Sequence, residues 1–88
     1  MASMYSTDGR GDAGAMSMAL HVGDDGNVVY EHNVRPRVGV AMRVGSLAGR
    51  TYSSQDYWQT SLITEIIEDT EDQVVFNTRS GSTYTWKP

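Results

Sequence analysis

The chain has 88 residues, no cysteine and a formal net charge of -4. That length supplies one small hydrophobic core and no second domain, and without cysteine there is neither a disulfide framework nor thiolate chemistry. The acidic balance weighs against a general nucleic-acid binder, whose footprint is basic. No apolar run approaches the roughly 18 residues that a membrane span needs. MASMYSTDGRGDAGAMSM also lacks the basic and apolar regions of a secretory leader, so a cytoplasmic protein with no membrane partner is expected.

In chain order, residues 1–18 are rich in Gly, Ala, Ser and Met, with glycines at 9, 11 and 14. They read as a flexible N-terminal arm. Residues 19–88 read as a single domain. ALHV and VVYEHNV flank GDDGN, a hairpin whose glycines supply positive φ and whose aspartates bond the backbone of the turn. Arg35-Pro36-Arg37 is an extended break, because proline lacks an amide donor. In VGVAMRVGS, Val38, Val40, Met42 and Val44 alternate with Gly39, Ala41, Arg43 and Gly45. That is a strand with a bulky face and a small face, and the small face invites close approach of another backbone.

YSSQDYWQTS holds Tyr52, Tyr57 and Trp58, with Ser53 or Ser54 placed to cap a short helical turn. SLITEIIED fits helical spacing, but its β-branched residues and the hairpin after it predict a strand. EDTEDQ is an acidic turn into VVFNT, and RSGS a tight turn into TYTW. The expected fold is all-β, a small SH3-like antiparallel barrel of about five or six strands, with an OB-like barrel or β-roll as the alternative.

Charge is segregated along the chain. Residues 32–55 hold Arg35, Arg37, Arg43 and Arg50 and no acid, whereas residues 56–72 hold Asp56, Glu65, Glu68, Asp69, Glu71 and Asp72 and no base. Tyr52, Tyr57 and Trp58 are candidate partner anchors, since Tyr and Trp are enriched at interface hot spots. For Trp58 the roof over the core is the favoured reading. Glu68, Asp69, Glu71 and Asp72 would steer a basic partner, or simply solvate a turn. Arg35, Arg37, Arg43 and Arg50 would track phosphates, and the first two form a cationic fork.

His21, His32 and Glu31 flank one hairpin but lack the further ligand that a metal site needs. No nucleophile elbow, phosphate-cradling loop or carboxylate pair in an apolar setting is present. No enzyme, cofactor or metal is expected.

VRPRVGVAMRVGS, QDYWQTSLITEIIEDT and VVFNTRSGSTYTW resemble small β-rich proteins encoded by phages and prophages, over roughly residues 34–87. The resemblance implies a protein that sticks to a host or defence protein and blocks it, as anti-CRISPR and anti-restriction proteins do. The leading expectation is a non-enzymatic module that inhibits by occlusion. A nucleic-acid-binding barrel using the four arginines is the rival, and a self-associating structural component, such as a homodimer, is the third reading.

Overall fold

Residues 6–10, 23–27 and 78–82 read STDGR, GDDGN and TRSGS, each with glycine fourth. The computed structural model describes residues 1–46 and 57–88, and in it each of these stretches closes a hairpin. Ser6 N–H donates to the Arg10 carbonyl at 2.7 Å, Gly23 to Asn27 at 2.8 Å and Thr78 to Ser82 at 2.9 Å. Gly9, Gly26 and Gly81 sit at φ of 89, 82 and 89°. A three-residue loop ending in a left-handed residue has this form, and only glycine takes that conformation without a Cβ penalty.

The strands in chain order are β1 (Ala2–Ser6), β2 (Gly11–Gly14), β3 (Met16–Val22), β4 (Val28–His32), β5 (Ala41–Gly45), β6 (Tyr57–Gln59), β7 (Ile63–Asp69), β8 (Val74–Thr78) and β9 (Thr83–Lys87). They form two antiparallel sheets, ordered β2-β1-β9-β8-β7 and β4-β3-β5-β6. The all-β expectation holds, as do the β3–β4, β7–β8 and β8–β9 hairpins.

Three expectations need correction. Residues 1–18 are not a flexible arm. They form β1, β2 and the start of β3, and β1 lies between β2 and β9. Met4 is fully buried and pairs with Trp86 from the far end of the chain. This order comes from long-range pairing, which local propensity does not report. Second, the strand expected from Val38 begins only at Ala41, because Gly39 turns the chain at φ 95°.

Third, among the described residues the sheets stack face to face and do not close into a barrel. One corner is stitched by backbone bonds, where residues 60–62 cross between them. There Thr60 N–H donates to the Met42 carbonyl at 2.9 Å and Ile63 N–H to the Val40 carbonyl at 2.8 Å. Backbones approach closely at the end of β5, since a Cβ on Gly14 would overlap the Gly45 carbonyl.

The core lies between the sheets. The five-stranded sheet contributes Met4, Trp86, Val74, Phe76, Tyr84 and Ile63, and the four-stranded sheet Ala19, Met42 and Val44. Burying a side chain such as Phe76 stabilises by about 1.5–3 kcal/mol relative to exposing it. Phe76 and Tyr84 stack with ring centroids 5.7 Å apart. Each tryptophan reaches across the interface: Trp58 Nε1 of β6 donates to the Tyr84 hydroxyl at 2.9 Å, and Trp86 Nε1 of β9 to Ser17 Oγ at 3.1 Å. Indole N–H groups turned inward find partners in this way, which offsets their desolvation.

Candidate binding face

Strand β3 alternates apolar Met16, Met18, Leu20 and Val22 with small Ser17 and Ala19 and then His21. Its small side faces the core, because the Trp86 indole fills the space above Ser17. The bulky side therefore turns to the outer face of the four-stranded sheet. The ladder adds Val28, Tyr30 and His32 from β4, Ala41 and Arg43 from β5, and Tyr57 and Gln59 from β6 to the same face. Among the described residues no further strand layer lies over it.

Met18, Leu20 and Ala41 make a second apolar cluster separate from the core. Leu20 and Ala41 help line an open groove of about 540 Å³, with Val22, Val28, Val38 and Leu62 along it. Those four are 70, 51, 57 and 41 % exposed. An exposed apolar patch of this kind in a small domain marks an interaction site more often than a structural need.

Beside the groove, the Arg43 guanidinium lies 4.2 Å from the Tyr57 ring centroid and 5.7 Å from that of Tyr30. Gln59 Oε1 accepts from Arg43 Nη2 at 2.7 Å and Nε at 3.0 Å. These contacts hold a Tyr-Arg-Tyr sandwich in place, each cation–π contact adding about 0.5–1 kcal/mol. The arrangement offers rigid aromatic surface and one cation. It contains no nucleophile paired with a base.

The structure distributes the predicted residues unequally. Tyr57 belongs to this face. Trp58 points the opposite way, as alternation along β6 requires, and packs against the core. Tyr52 and Arg50 lie outside the described residues, as does the expected helical turn at residues 53–56. Glu68, Asp69, Glu71 and Asp72 are exposed, but they lie on β7 and its turn in the other sheet. Glu68 accepts from Gln73 Nε2 at 2.5 Å.

The cationic fork is divided. Arg35 bonds Asp69 at 2.7 Å and lies 5.5 Å from the Trp86 ring centroid, toward the five-stranded sheet. Arg37 bonds Glu31 of the four-stranded sheet. With Pro36 buried between them, this segment ties the two sheets together, and both cations are already matched by carboxylates. His21 Nε2 lies 2.7 Å from the same Glu31 carboxylate. The Arg37 hydrogen bond, and then His21, hold Glu31 below the usual carboxylate range. His21 and His32 fall on opposite faces of their hairpin, so it does not bring them together around one ion.

Sequence reasoning missed Tyr30 and the outward row of β3. The signal was present, since MSMALHV alternates strictly. Periodicity defines two faces but does not say which one is buried. No protein family, no curated protein and no solved structure matches the chain.

Proposed function

We propose that this protein is a non-enzymatic binding module that covers a surface of a partner protein through the outer face of its four-stranded sheet. The observation that carries the reading is the inverted strand β3, which turns Met18, Leu20 and Val22 away from the core. The groove supplies apolar area, and Tyr57, Tyr30 and Arg43 supply the residue types that dominate interface energetics. With the resemblance to small phage-encoded β-rich proteins, the favoured partner is a host or defence protein in the bacterial cytoplasm, inhibited by occlusion. The acidic β7–β8 turn then steers a basic region of that partner, an effect on association rate more than on affinity. Tyr52 remains a candidate anchor alongside Tyr57.

Capture from bacterial lysate by the tagged protein, with and without nuclease, tests this reading. One dominant protein retained after nuclease, and lost with Tyr57→Ala while circular dichroism is unchanged, is the expected result. Capture that vanishes with nuclease or collapses with salt transfers the function to nucleic acid and the arginines. That second reading draws less support, because Arg35 and Arg37 are engaged by Asp69 and Glu31.

A further inference from the structure

A strand at a sheet edge offers unpaired N–H and C=O groups, and proteins usually blunt such edges. Among the described residues three of the four edges are blunted. β2 is a four-residue strand pressed against Gly45. β6 has three residues. β7 is broken by two register shifts and carries Glu65, Glu68 and Asp69. β4 is less protected, since its one acidic residue, Glu31, is paired with Arg37 and His21. It reads VVYEH, pairs with β3 without a register shift, and leaves Val28, Val29 and Tyr30 51, 37 and 49 % exposed.

The flanking bonds show which of its groups point outward. Asn33 N–H donates to the Ser17 carbonyl at 2.7 Å, and Gly23 N–H to the Asn27 carbonyl at 2.8 Å. Hydrogen-bonded positions recur at every second residue of an antiparallel ladder, so Val29 and Glu31 bond toward β3. Val28, Tyr30 and His32 turn their N–H and C=O groups away from the sheet. Among the described residues no other strand pairs with that side.

We propose that a second copy of this chain occupies this edge, β4 pairing antiparallel with β4 about a two-fold axis at Tyr30. In that register Val28 faces His32 of the second copy, Tyr30 faces Tyr30, and His32 faces Val28. All the outward groups pair at once, giving about six backbone hydrogen bonds. The sequence is self-complementary in this alignment. Glu31 falls opposite Val29 and not its own copy, and its charge is already met by Arg37 and His21. The contact is isologous and closes on itself, so it ends at a dimer. The four-stranded sheets become one continuous sheet, with both binding faces on it. The inference stands independently of the proposed partner.

Sedimentation velocity from about 1 to 300 µM tests it. The wild-type protein dimerises with rising concentration. Tyr30→Lys and Tyr30→Glu each place like charges face to face on the axis and raise the dimer Kd about tenfold or more. Mixing the two variants restores the dimer. Circular dichroism checks that each variant keeps its β signal; should either lose it, Val28→Lys, which puts a charge at the exposed start of the strand opposite His32 of the second copy, is read for loss of the dimer alone. A wild-type chain that stays monomeric throughout overturns the proposal and leaves the edge to a foreign strand. A dimer that persists in both Tyr30 variants overturns it too, by placing the contact elsewhere. So does a mixture that stays monomeric.

Discussion

The two sheets bury similar inner faces but present opposite outer ones. On the five-stranded sheet the outer rows are mostly polar: Ser3, Thr83, Thr85, Lys87, Asn77 and Glu65 lie there with Tyr5 and Val75, and Ile67 is exposed on β7. Asn77 Nδ2 donates to Glu65 at 3.0 Å and Thr83 Oγ1 to Asn77 Oδ1 at 2.6 Å. On the four-stranded sheet the outer rows are mostly apolar and aromatic, with Met18, Leu20, Val22, Val28, Tyr30, Ala41 and Tyr57 around the polar His32, Arg43 and Gln59. Folding requires one apolar side per sheet. The polar outer face shows that this chain can clothe a sheet for water, so the apolar one is a surplus that the fold does not explain.

The comparison breaks most visibly at the core the sheets share. Phe76→Ala should cost about 3–5 kcal/mol of folding stability in urea titration, because the side chain is fully buried and its neighbours belong to both sheets. A cost below about 1 kcal/mol would mean that the sheets do not pack on each other as described.

Outside the core, the two faces should separate folding from binding. Val38→Asp, on the groove, should weaken capture of the partner by about 2 kcal/mol while shifting folding by less than about 1 kcal/mol. The matched change Thr85→Asp, on the polar face, should leave binding untouched. Equal losses from both would remove the distinction between the faces.

The pH dependence sharpens the inner side of the four-stranded sheet. Glu31 is held below the usual carboxylate value of 4.5 by Arg37 and then His21. A carboxylate stabilised in its charged form contributes fully above its unfolded value, and the contribution is lost as pH falls through the lower folded value. The difference in Tm between wild type and Glu31→Gln should therefore be greatest near neutrality and shrink below 4.5. Asp8, held down by Arg10 and Ser6, adds an acid loss of the same sign that Glu31→Gln leaves in place. The smallest effect is expected from Thr85→Ala, within about 0.5 kcal/mol of wild type by thermal melt.

Local chemistry made the hairpins legible. Glycines 26 and 81 marked two of the left-handed loop ends, and the β-branched run at Ile63–Asp69 outweighed its helical spacing. The same Asp-Gly signal stood at Asp8-Gly9, but Ala, Ser, Met and Gly around it have little intrinsic strand preference. Those residues become strands because β9, at the other end of the sequence, lies beside β1. Tyr57 was visible as an exposed-type aromatic in a polar run. Its neighbours Arg43 and Tyr30 come from other strands, and register between distant strands is not written in any one segment. The arginine fork failed for a related reason. Side chains two apart in an extended chain do share a side, but Pro36 sits at the seam, where each neighbour finds a different sheet.

The crossed indole bonds give the molecule an internal gauge. Each tryptophan is rooted in one layer and hydrogen-bonded to the other, and both rings look inward, away from the groove. Their fluorescence therefore reads the spacing between the layers. Wetting of the interface on parting would shift the emission of both to longer wavelength. An occupant without tryptophan seated on the outer face leaves it unchanged, so one spectrum tells unfolding from binding without any added label.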